Sequence, residues 1–159
     1  MPFELIPHSS DMGVRGIGNT VEEAFAEAAR AMFSLMANLE RVEPKEAIPF
    51  KVEADSLENL FVSFLGELLF LREVHGMLFR HFELRLKEEG PRFLLEGVAY
   101  GEKFDPRKHE PGIDVKAATY AWVKVEKRTG PGLLRAWWTC ELGAEPAGPG
   151  VAKGPAFPR

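Results

Sequence analysis

"FELRLKEEGPRFLLEGVAYGEKF", residues 82–104, is the stretch whose reading decides the fold. Phe82, Leu84 and Leu86 alternate with Glu83, Arg85 and Lys87, the period-two pattern of a half-buried strand. "EEGPR" reads as a hairpin turn, and "FLLEGVAYGEKF" as the strand that returns. A tight reversal of this kind makes neighbouring strands antiparallel.

Two helices precede the hairpin. Thr20 with Glu23 fits a capping box. Beyond it Val21, Ala24, Phe25, Ala28, Met32, Leu35, Met36 and Leu39 keep helical spacing, with Glu22, Glu23, Glu27 and Arg30 on the other face. Asp55 with Glu58 is the expected start of a second helix. Leu57, Leu60, Phe61, Phe64, Leu65, Leu68, Leu69 and Leu71 give it a wide apolar face, so it is expected to be the most buried helix, ending at Gly76. Short strands are expected at 3–6, 12–18 and 48–54, and longer ones at 113–127 and 133–142, with a loop over "DPRKHEPG". The resulting order, ββα-β-α-ββββ, favours an α+β domain in two layers: two helices packed on one face of a mostly antiparallel sheet.

The chain's 159 residues suit one ordinary domain. With 45% hydrophobic residues and twelve Phe there is ample material for a core, and no disulfide or structural metal is needed. The single cysteine, Cys140, excludes an internal disulfide framework and suits a reducing cytoplasm. No apolar run is long enough to span a membrane, and no signal peptide is visible. A net charge of −4 is not the footprint of a protein that grips nucleic acid strongly by itself. Residues 1–142 read as the domain. Residues 143–159, "GAEPAGPGVAKGPAFPR", read as a Pro/Gly-rich tail.

No P-loop, GxGxxG, HExxH, CxxC or GxSxG is present, and no catalytic constellation emerges. Two polar stretches stand out. "HSSDMG", residues 8–13, sets the carboxylate of Asp11 in a turn between two strands. "YGEKFDPRKHEPGIDVKAATY", residues 100–120, is a charge-balanced connection between strands, the kind of loop on which scaffolds often carry function.

With "HSSDMGVRGIGNTVEEAFAEAARAMF" and a short closing strand, these strings resemble the archease family over residues 3–142. The resemblance implies a two-layer α+β fold and a cytoplasmic accessory protein of an RtcB-type RNA ligase in tRNA splicing and RNA repair. Such a protein promotes guanylylation of the ligase histidine and multiple turnover. Some members are linked instead to a tRNA methyltransferase, as a specificity factor. The resemblance also implies a divalent cation, calcium first, with magnesium or manganese as alternatives. Its ligands map onto Asp11, onto Glu141 at the end of the last strand and onto the backbone carbonyl of Leu142. Oxygen donors of this kind suit a hard cation. Glu102, Asp105, His109 and Lys116 are assigned to the partner-docking surface. Three departures accompany the match: Glu141 stands where the family has aspartate, Ala121 where it often has histidine, and the chain continues past the last strand. That placement suggests a tail covering the acidic site. A rival reading of the residues alone is an independent metal-dependent hydrolase centred on Asp11 and Glu141.

Overall fold

The computed structural model describes residues 3–7, 12–113, 115–129 and 136–146. Asp11 and most of the tail lie outside them. The described chain runs β1 (Phe3–Pro7), β2 (Met12–Gly18), α1 (Val21–Met36), a 3-10 turn (Leu39–Arg41), β3 (Glu46–Ala54), α2 (Leu57–His75), β4 (Met77–Glu89), β5 (Arg92–Lys103), α3 (Pro106–His109), β6 (Val115–Thr129) and β7 (Ala136–Pro146). All described strand pairs are antiparallel, and β4 with β5 forms the hairpin expected at 82–104.

The architecture is α+β, but the strands divide into two sheets rather than one. Their orders are β1-β2-β7-β6 and β3-β5-β4. Alternation identifies which face of a strand is buried, not which strand lies beside it, and the division is decided by the helices. α1 packs on β1, β2 and β7 of the first sheet and on β4 of the second; α2 packs on β6 of the first and on β3, β4 and β5 of the second. Each helix therefore serves both sheets. Phenylalanines lock the centre: Phe25 stacks near Phe61 and Phe64 at centroid distances of 4.9 and 5.7 Å, and Phe64 reaches Phe50 and Phe82.

α1 begins as expected. Thr20 Oγ1 accepts from Glu23 N at 3.1 Å, and Glu23 Oε1 accepts from Asn19 N. α2 is capped one residue later than the sequence indicates. Ser56 Oγ accepts from Asn59 N, while Asp55 takes the Asn59 side-chain amide. Nor is α2 the most buried helix. Phe70 and Val74 are 59% and 58% exposed, whereas α1 buries every large apolar residue along its length. α2 is apolar nearly all round, so only part of its surface can find a partner. Gly76, left-handed at φ 63°, ends it. β7 continues to Pro146, so residues 143–146 of the expected tail belong to the sheet.

Candidate functional site

The connection between β5 and β6 is a folded unit. Asp105 caps the single turn of α3, its carboxylate accepting from Arg107 N at 3.0 Å, with Pro106 at the first helical position. The far side of the unit is bound to the end of α1. Asn38 N donates to His109 O, Gly112 N to Met36 O and Ile113 N to Leu35 O, at 2.7–2.9 Å. Arg41 Nε donates to Lys108 O. Phe104 N donates to Gly76 O at the start of β4.

His109 lies at the centre of this unit and is fully buried. Its Nδ1 accepts from Asp105 N at 2.9 Å, which leaves the ring proton on Nε2 to be donated to Glu102 Oε2 at 2.8 Å. Glu102 is also buried. It accepts from Glu43 N at 2.9 Å and from Lys108, and Lys45 stands 3.6 Å away. Burial disfavours its charge, but the donors from His109, Lys108 and Glu43 N outweigh that and hold the carboxyl down to about 2. Lys108 in turn bridges Glu43 and Glu102, which raises its own pKa.

This geometry redistributes the expected docking residues. Glu102 and His109 are interior and fix the loop, so their side chains are not part of its outer surface. Asp105 is exposed, as are its neighbours Pro106 and Arg107. Lys116 falls in β6 at an irregularity between Val115 and Ala117. The partners that complete the network, Glu43, Lys45 and Asn38, come from the segment after α1. Only the capping pattern around Asn38 and Glu40 could have hinted at the turn there.

A second group of charged residues lies across the other sheet. Glu4, Arg15, Glu141 and Lys124 occupy one rung across β1, β2, β7 and β6, alternating in charge. Arg15 pairs with Glu4 through Nη1 and with Glu141 Oε2 through Nη2 at 3.2 Å. Partial burial works against the Arg15 charge, and the two carboxylates overcome it, raising the guanidinium pKa further.

Of the expected cation ligands, Asp11 lies outside the described residues, and Glu141 and Leu142 lie within β7, which continues to Pro146. The Glu141 carboxylate already has a cationic partner. Leu142 is fully buried in a strand paired on both edges, opposite Val14 and Val123, beside a register irregularity between Thr119 and Val123 of β6. Met12, which follows Asp11 in sequence, pairs with Ala144, three rungs from Glu141. That is about 10 Å along the strands. Among the described residues no group of three or more His, Cys, Asp or Glu is placed to hold a metal ion. No described helix is long and apolar enough to cross a membrane.

Comparison with known proteins accords with this fold. The sequence matches the Archease protein family (MTH1598/TM1083) over residues 3–140. Protein archease of Pyrococcus furiosus is 44% identical over 125 residues, 79% of this chain and 88% of that one. Protein archease of Methanopyrus kandleri is 41% identical over 132 residues, 82% of this chain and 93% of that one. The solution structure of Methanobacterium thermoautotrophicum protein 1598 is similar with a TM-score of 0.78 at 27% identity, covering 91% of this chain and 98% of that chain. With a family match across nearly the whole domain, the chain belongs to the archease family.

Proposed function

We propose that this protein is an accessory factor of an RtcB-type RNA ligase in the cytoplasm, one that promotes guanylylation of the ligase histidine and repeated turnover without itself catalysing a reaction. The observation that carries the reading is the family match over residues 3–140, reinforced by relatives matched over most of their own length. The exposed edge of the β5–β6 connection supplies the docking surface, with Asp105 and Arg107 outermost. An accessory protein needs a contact surface that holds its shape before the partner arrives, since ordering a loop on binding costs affinity. The buried Glu102–His109 pair and the bonds to the end of α1 hold this loop in advance. No step is assigned to a bound metal.

The test is transfer of labelled guanylate from GTP to the cognate ligase, with and without this protein. The protein is expected to accelerate labelling severalfold, and Arg107→Glu to lose most of that gain while melting like the parent. No acceleration by the parent protein would refute the proposal. Full acceleration by Arg107→Glu would move the docking surface elsewhere.

A further inference from the structure

β4 lies at the margin of its sheet: β5 flanks it on one side and, among the described strands, none flanks the other. Backbone groups along such a margin are open to pairing with another chain. The hairpin decides which of them point outward. Gly90 and Pro91 form a two-residue turn, so Glu89 and Arg92, which close it, are a hydrogen-bonded pair. Bonded and open pairs alternate along an antiparallel ladder. Leu86, Leu84 and Phe82, opposite Leu95, Gly97 and Ala99, therefore turn their N–H and C=O groups away from β5. One contact bears this out: Leu86 N donates to the Glu22 carboxylate of α1 at 3.3 Å. Toward its Met77 end the strand is differently placed. The register breaks between Phe79 and His81, and Arg80 reaches the Val42 carbonyl at 3.3 Å.

A cavity of about 410 Å³ lies between the open margin and α1. Its floor is apolar, formed by Ile17, Ala26, Phe82 and Leu84, and its α1 wall carries Glu22, Glu23 and Glu27. Arg30 and His81 also line it, and each has an acidic neighbour outside the argument: Arg30 pairs with Glu27 at 3.1 Å and His81 stands 3.6 Å from Glu83. The carboxylates of Glu22 and Glu23 meet only backbone amides among the described residues, those of Leu86 and Asn19. The groove thus sets uncompensated negative charge beside outward-facing strand backbone.

We propose that this groove takes up an extended basic segment of a partner protein as an added strand on β4. Main-chain bonds to Phe82, Leu84 and Leu86 hold the segment, and its alternate side chains face α1. There the apolar stems of lysine or arginine cross Leu84 and Ile17, and their charged heads reach Glu22 and Glu23. Glu22 releases Leu86 N to the incoming strand and takes a cationic side chain in exchange. This surface is separate from the β5–β6 connection, which leaves its strand beside the Met77 end of β4.

The test uses the full chain and a fluorescent peptide of alternating lysine and threonine as the probe. Two controls accompany it: the same peptide with glutamate in place of lysine, and one N-methylated on the main chain of every lysine, which removes the pairing amides. By fluorescence anisotropy the lysine peptide is expected to bind at least about tenfold tighter than either control. Glu22→Gln combined with Glu23→Gln, which keeps both side-chain acceptors, is expected to weaken that binding at least about fivefold in a protein still folded by circular dichroism. Hydrogen exchange gives the readout that charge attraction alone would not move. The Phe82 and Leu84 amides are expected to slow at least about tenfold on saturation with the lysine peptide, while those of Glu83 and Arg85, which face β5, stay as they were. Absence of binding, equal affinity for the lysine and glutamate peptides, or binding without slowing at Leu84 would overturn the proposal. So would a dimer whose Leu84 amide is protected before peptide is added, since a second copy would then fill the margin. No ligase takes part, so this result stands apart from the test of the proposed function.

Discussion

His109 and Glu102 show how one residue's protonation can hold a loop. The Asp105 N–H bond to Nδ1 selects the tautomer, and that tautomer aims its proton at Glu102. Glu102 titrates near 4.5 when unfolded and at about 2 when folded. The unfolded state thus binds the proton more readily, and the pair's contribution is complete above about pH 4.5 and lost as pH falls toward 2. A drop from 4.5 to about 2 corresponds to roughly 3 kcal/mol. The urea midpoint of the parent is therefore expected to fall more steeply between pH 5 and 2.5, about the window of that titration, than that of Glu102→Gln. Parallel falls for the two proteins would show that Glu102 does not contribute in this way. At neutral pH the substitution is expected to cost about 2–3 kcal/mol, because the Lys108 and His109 donors lose their charged acceptor.

At the scale of elements, two glycines make opposite predictions. Gly16 lies where β2 crosses α1: a Cβ there would meet the Ala24 carbonyl oxygen at 1.9 Å and Ala28 N at 2.5 Å. Both are backbone atoms of a helix, so neither can turn aside. Gly16→Ala is expected to lose about 2–3 kcal/mol by overpacking, read from denaturant unfolding. A loss below about 1 kcal/mol would mean that α1 shifts freely on the sheet. Gly66, on the exposed side of α2, has nothing within 4 Å of the place an alanine methyl would take. Gly66→Ala is expected to gain about 0.5–1 kcal/mol through helix propensity alone. A measured loss would reveal a contact on that face.

On the scale of the whole molecule, the helices join the two sheets into a single cooperative unit. Trp122, Trp137 and Trp138 all lie in β6 and β7 of the first sheet, so tryptophan emission follows that sheet, while far-ultraviolet circular dichroism follows all elements. Coincident thermal transitions are expected by the two probes, since α1 and α2 each pack on both sheets. Separate midpoints would show that the sheets unfold independently. The same shared packing explains what the sequence could and could not reveal. The alternation of Phe82, Leu84 and Leu86 and the turn at Gly90 are local, so the β4–β5 hairpin was legible, as was the cap at Thr20. The partition into two sheets was not, because it depends on which strands the helices separate. His109 read as a docking-surface residue because the partners that fix its loop include Asn38, which bonds its carbonyl, and Glu43, which bonds Glu102, both far away in sequence. Arg15 carried no signal beside Glu141 until the register put them on one rung.

The proposed role is a property of the intact domain acting on its partner, and ligation under turnover conditions tests it most directly. The cognate RtcB-type ligase would be supplied at limiting concentration with GTP, its divalent metal and an excess of RNA ends, with and without this protein. The account predicts that product stays near one equivalent per ligase without the protein and rises many-fold above it when the protein is added. Product that rises to the same level in both cases, or stalls near one equivalent in both, would contradict it.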